Sequence, residues 1–208
     1  MADDRFDLLT ICTGNICRSP MAELVAAAHL KAELPSPDSA RFRVHSAGTQ
    51  GLEGWEVNPP AADRLDALGV PWTDFRARLL IEEMVAEADL VLGATREHRS
   101  AAVSMVPRAS ARTFTLREFA RLVSLVDVDE LPAGDPVERA KALVVAASRQ
   151  RGMVWVPPAE DDIDDPYGRG AAEFEACSAQ IAAALAVPMR VITDPSYRPE
   201  RPKELIEE

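Results

Sequence analysis

At 208 residues the chain fits one compact domain, since a single core grows well past this size before chains split. A formal charge of −11 excludes the clustered Lys and Arg that neutralise a long nucleic acid, so none is an expected partner. One small anion remains bindable, because a local loop overrides a global field.

Apolar residues make up 47% of the chain but form no uninterrupted run near the ~20 that cross a bilayer, so no membrane partner is expected. The start, Met1–Asp4, carries two acids and no basic n-region, which argues against a secretory signal and for a cytoplasmic address. Cys12, Cys17 and Cys177 are odd in number and too few for a disulfide framework, so a reducing compartment is implied, where a thiol can act as a reagent.

In chain order, Arg5–Ile11 is an apolar run ending at a polar turn, a strand, and Pro20–Leu34 repeats apolar residues at helical spacing. Phe42–His45 reads as a second strand, and Pro60–Leu68 as a helix stopped at Gly69. Asp89–Leu92 and Arg112–Leu116 are further strands, with a helix between them from Arg96 to Val106 that Pro107 ends. Pro136–Arg151 has an amphipathic helical pattern, Pro157–Gly170 is a loop rich in Pro and Asp, and Ala171–Leu185 is a closing helix.

This alternation predicts an α/β fold, a single domain with a central four-stranded parallel sheet, helices on both faces and an N-terminal phosphate-binding loop. The domain spans 1–190 with an extra helical insertion around 117–158. A charged tail, 191–208, follows and frays from Ser196 onward. Ligands of such sheets gather beyond the strand C-termini, where Cys12 lies.

The string Cys12-Thr13-Gly14-Asn15-Ile16-Cys17-Arg18-Ser19-Pro20 puts a thiol at a strand end, five loop residues, an arginine and a helix start. A loop curled around a tetrahedral anion points successive amides inward, and Gly14 and Asn15 tolerate the backbone angles required. Pro20 suits the first helical turn. The helix N-terminus and Arg18 favour thiolate over thiol at Cys12. The planar fork of Arg18 matches two phosphoryl oxygens. Ser19 is placed to donate to the Cys12 sulfur or to cap the helix.

Ile11–Pro20 resembles the low-molecular-weight protein tyrosine phosphatase family, whose N-terminal signature is (V/I)-C-x-G-N-x-C-R-S-P. The resemblance implies that Cys12 is the nucleophile, Arg18 the phosphate clamp, and Asn15 and Ser19 loop organisers. Thr13, Gly14, Ile16 and Cys17 complete the substrate loop. Cys17 is either a protective disulfide partner of Cys12 or a small loop residue.

Expelling the leaving oxygen needs a proton donor, and the attack of water on a phosphocysteine needs a base. The family carries this acid in an Asp-Pro-aromatic motif, and Asp165-Pro166-Tyr167 implies Asp165. Glu160, Asp161, Asp162 and Asp164 beside it are expected to help it hold its proton by like-charge repulsion. Without the cysteine loop, the same run reads as a solvated acidic loop.

By the same resemblance Tyr167 and Trp55 wall the cleft, with core packing the alternative for Trp55. Ser46-Ala47-Gly48-Thr49 matches a family segment in which Ser46 supports Asn15. The chain departs at Phe75, where the family often has a histidine bracing the asparagine. It departs again at Gly93-Ala94-Thr95, where Met-Asp is frequent and Thr95 becomes a candidate helix cap.

His29, His45 and His98 are scattered and read as structural. No cofactor and no metal are required. The expected partners are phosphotyrosine proteins, a tyrosine kinase among the candidates, with inorganic phosphate as product. An arsenate reductase using a low-molecular-weight thiol and a catalytically weak phosphoprotein-binding module are the alternatives.

Overall fold

A computed structural model describes residues 4–200. β1 (Phe6–Cys12) is buried at every position but Asp7, the pattern of a strand covered on both faces of a parallel sheet. It sits at the centre, paired in parallel with β2 (Phe42–Gly48) and β3 (Leu90–Gly93), while β4 (Thr113–Thr115) pairs with β3. The order is β2-β1-β3-β4.

The chain leaves β1 for one side of the sheet and later returns to the other. The strand order therefore reverses beside the end of β1, where α/β sheets place ligands. The register aligns Cys12 with Gly48, Ile11 with Gly93 and Gly93 with Thr115, so all four strands end at one rim.

Helices α1 (Arg18–Glu33), α2 (Ser36–Ser39), α3 (Pro59–Ala67), α4 (Glu82–Glu87), α5 (Arg96–Met105), α6 (Leu116–Val123), α7 (Pro136–Arg149) and α8 (Ala171–Thr193) cover the sheet. Strand side chains alternate between two cores. Phe6, Leu8, Leu90, Leu92 and Phe114 enter the larger one with α1, α3, α6, α7 and α8. Leu9, Ile11 and Val91 enter the smaller one, under α4 and α5.

Four elements differ from expectation. Leu116 opens α6 instead of ending a strand, because Thr115 and Glu118 form a reciprocal capping box there. α2 and α4 have no counterpart in the sequence reading. α8 passes Leu185 and Pro188 to reach Thr193, because Val191 and Ile192 are buried.

The end of α8 is further tied by Arg139, 1% exposed on α7, whose Nε donates to the Val191 carbonyl at 2.5 Å. Residues 191–193 are thus core helix and not tail, and 201–208 lie outside the described residues. By length and composition α8 could cross a bilayer, with 44% of its apolar window buried; here it packs on α1, α3, α6 and α7.

The rim leaves no room at Gly48, where a Cβ would stand 2.9 Å from the Asn15 nitrogen and 2.8 Å from Gly51 Cα. Overpacking of this kind costs about 1–3 kcal/mol, and about 2–4 °C is lost per kcal/mol in a domain of this size. Gly48→Ala is therefore expected to lower the melting temperature by about 5 °C or more in a thermal scan. Gly134→Ala, with nothing within 4 Å of the added carbon, should change it by about 1–2 °C at most.

Candidate active site

From the end of β1 to the start of α1, the carbonyls of Cys12, Thr13, Gly14, Ile16 and Cys17 are taken up by amides outside the loop's interior. The carbonyls of Cys12, Thr13 and Gly14 accept from the amides of Thr49, Gln50 and Leu52 at 2.9, 2.9 and 3.0 Å. Those of Ile16 and Cys17 accept from the amides of Asn58 and Met21 at 2.8 and 3.2 Å. The amide of Asn15 donates inward to Cys12 Sγ at 3.3 Å. Those of Gly14, Ile16 and Cys17 meet no protein acceptor among the described residues. Asn15 makes the turn at φ 56°, whereas Gly14 stays at negative φ. Only one of the two expected residues carries the left-handed geometry.

Every polar atom of the Asn15 side chain is used. Nδ2 donates to Ser19 Oγ at 2.9 Å and to Ser46 Oγ at 2.7 Å, and Oδ1 accepts from the Arg78 amide at 2.8 Å. Ser19 Oγ lies 2.9 Å from Cys12 Sγ. Its oxygen accepts from Asn15 and its other neighbour, the Ala47 carbonyl, is 3.5 Å away, so its proton is directed to the sulfur.

Ser19 therefore does not cap α1, whose N-cap is Cys17. Ser46 passes its own proton to Glu23 Oε2 at 2.5 Å. Burial, opposed by that hydrogen bond, pushes the Glu23 carboxyl above its usual range. Arg78 and Glu23 thus do the bracing expected of a histidine, and Phe75 is an ordinary core residue at 5% exposure.

Arg18 is 4% exposed. Nη1 donates to the Ile163 carbonyl at 3.1 Å and Nη2 to Asp165 Oδ2 at 2.5 Å. Its Nε is buried without a partner, and a buried orphan donor is costly unless a ligand satisfies it. Thr13 Oγ1 lies 3.5 Å from Nη2 and 3.0 Å from Nε2 of His98, whose Nδ1 is 2.8 Å from Thr95 Oγ1.

Burial first, and the Arg18 charge second, push His98 down to about 4, so its ring is neutral and holds one donor and one acceptor. Thr95 is spent on this ring, and the α5 N-terminus is capped instead by Asp162 Oδ1, which accepts from the Arg96 amide at 2.7 Å. Burial, then the neighbouring Cys12, pushes Cys17 up to about 12, and burial does the same to Cys177. All three cysteines are unbridged.

Asp165 closes the site in an Asx turn. Oδ1 accepts from the Tyr167 amide at 3.1 Å, and Gly168 completes the bend at φ 75°. Two of the four acids before it, Asp161 and Asp162, do not act on it as expected. Asp161 is paired with Arg121 at 3.0 Å and Asp162 with Arg96 at 3.0 Å, so arginines from α6 and α5 absorb that charge.

A cavity of about 220 Å³ opens above Cys12, walled by Thr13, Gly14, Ile16, Cys17, Gln50, Leu52 and Tyr167, with Arg18 and Asp165 at its polar side. Tyr167 stands at the mouth, 58% exposed. Trp55 does not line this cavity and is not in the core either; at 58% exposure it points to solvent, because its backbone is tied to Leu52 and Ala77. Asn15 and Ser46 are fully buried and act beneath the loop, out of a ligand's reach.

Leu52 and Gln50 were missed, and the contact of His98, read as structural, with Thr13 was not foreseen. Leu52 and Gln50 look like any loop residues. His98 stands three after Thr95, an N-cap-to-N3 spacing that could have marked the contact.

Residues 7–142 match the family described as low molecular weight phosphotyrosine protein phosphatase. The chain belongs to this family. A low molecular weight protein-tyrosine-phosphatase Ptp of Acinetobacter johnsonii is 32% identical over 53% of this chain and 71% of its own. A protein-arginine-phosphatase of Geobacillus stearothermophilus is 36% identical over 66% and 85%. Among solved structures, the low molecular weight protein tyrosine phosphatase of T. tengcongensis matches with a TM-score of 0.62 and 26% identity, over 88% of this chain and 96% of that one. The protein is a phosphatase of this fold.

Neutral His98 sets a pH dependence. Its folded value, about 4, lies below the ordinary 6.5, so between these values the unfolded chain binds a proton that the folded one does not. Stability from this group is complete above about 7 and is lost as pH falls from 6.5 towards 4. In denaturant titrations at pH 7.5 and 5, the phosphatase should lose more stability between the two than His98→Gln does.

Proposed function

We propose that the site hydrolyses phosphotyrosine on proteins through a cysteinyl-phosphate intermediate. The reading is carried by Cys12 Sγ, hydrogen-bonded by the Asn15 amide and the Ser19 hydroxyl, next to an arginine whose Nε lacks a partner. A tetrahedral dianion supplies what those donors lack.

The sulfur attacks phosphorus in line, forming the S–P bond as the P–O bond to the phenol breaks. Arg18 and the loop amides hold the equatorial oxygens, where charge spreads. Asp165 gives its proton to the departing phenolate oxygen. It then takes a proton from the water that attacks the phosphocysteine, releasing inorganic phosphate and the Cys12 thiolate. Ser19, donating to the sulfur, stabilises that leaving thiolate.

The apolar wall of Ile16, Leu52 and Tyr167 suits a flat, neutral phenyl ring. A phosphoarginine would bring a charged guanidinium to a cavity whose polar side already holds Arg18. Protein-arginine phosphatases stand among the relatives at 32–36% identity, which makes this comparison the informative one.

Peptides carrying phosphotyrosine, phosphoserine or phosphoarginine, compared by kcat/KM, should rank phosphotyrosine first; a lead for phosphoarginine overturns the specificity. Cys12→Ser is expected to lower turnover by about 10³-fold or more and Asp165→Asn by about 10²-fold or more. Full activity in Cys12→Ser removes the nucleophile from the reading.

A further inference from the structure

Asp165 is paired with Arg18. Once the Arg18 fork turns to phosphoryl oxygens, that bond is given up, and the acid must stay over the leaving oxygen by other means. Those means are visible upstream. Ile163 is a fully buried plug whose amide donates to the Ala94 carbonyl at 2.9 Å.

The two residues before it are clamped from different helices. The Arg96 guanidinium on α5 reaches Asp162 Oδ2 at 3.0 Å through Nη2, with Nε 3.3 Å from both oxygens. Arg121 Nη2 on α6 meets both oxygens of Asp161 at 3.0 and 3.1 Å. Arg117 Nη1 adds a bond to the Asp162 carbonyl at 3.3 Å. The Arg121–Asp161 pair is partly desolvated, at 21% and 15% exposure, whereas Arg96 is 46% exposed and holds Asp162 by the number of its bonds; multidentate pairs hold geometry better than single contacts.

We infer that Arg96 and Arg121 are positioning residues for the general acid, fixing the Asp161–Asp162 stretch so that Asp165 stays in proton-transfer range after Arg18 has left it. The inference rests on the phosphotyrosine phosphatase reading and on Asp165 as its acid. Proximity of a proton donor matters in proportion to how badly the leaving group needs the proton.

The test uses the full chain with two substrates. Phenyl phosphate leaves as a basic phenolate, while 2,4-dinitrophenyl phosphate leaves with little need of protonation. The Arg96→Gln/Arg121→Gln double variant should lose about tenfold in kcat/KM on the first and under about twofold on the second. Added to Asp165→Asn, the same pair should cause no further loss on phenyl phosphate.

An equal loss on both substrates, or none on either, overturns the inference. If the double variant does not fold, Asp161→Asn and Asp162→Asn remove the same pairs from the loop side and are read in the same way. Failure of the two readings is distinguishable. A wild-type chain inactive on both esters, or an Asp165→Asn variant without the leaving-group split, sinks the parent reading. A split in Asp165→Asn that the arginine variants do not share sinks only the anchors.

Discussion

The structure depends on one constraint: the carbonyls of the loop after β1 must face away from the Cys12 sulfur so that its amides can face towards it. A five-residue loop has no regular structure to enforce that. Here the stretch from Thr49 to Asn58 lends its own amides to the loop carbonyls, and Asn15 accepts a left-handed backbone that disfavours most side chains by about 1–2 kcal/mol. The three hydrogen bonds of its buried side chain, at net values near 1 kcal/mol each, offset that strain. Sheet register serves the same end, since Gly48 stands opposite Cys12 and lets the two segments touch.

Electrostatics at the rim run against the charge of the molecule as a whole. An acidic chain attracts a dianion only where its carboxylates are neutralised or turned aside. Arg96 and Arg121 take up two of the acids nearest the cleft, and Glu23, raised by burial, ends the Ser46–Asn15 chain of hydrogen bonds. Arg18 is left with one carboxylate, Asp165.

The sheet was legible because its strands are short apolar runs with turn residues between them. The cysteine loop was legible because a thiol, an asparagine, an arginine and a proline at fixed spacing each answer a distinct steric or electrostatic demand. The start of α6 was misread although its capping box, Thr115 and Glu118, is printed in the sequence, since Thr113-Phe114-Thr115 is also a good strand. α8 runs past the expected end at Leu185 because Val191 and Ile192 are buried, and that burial outweighs the local cost of Pro188 inside the helix. Trp55 could not be placed: its exposure follows from hydrogen bonds between its backbone and distant segments. The acidic run was visible, but its pairing with Arg96 and Arg121 is a contact across 66 and 40 residues that no local pattern announces.

β1 precedes the other three strands of its sheet in the chain and lies between β2 and β3. It finds one neighbour only when residue 48 has emerged from the ribosome and the other at residue 93, and Asp165 follows later still. Throughout that interval Cys12 has neither the Thr49–Asn58 amides behind its loop nor Asp165 beside it. The cavity above Cys12 is complete only when the chain has been made through Tyr167.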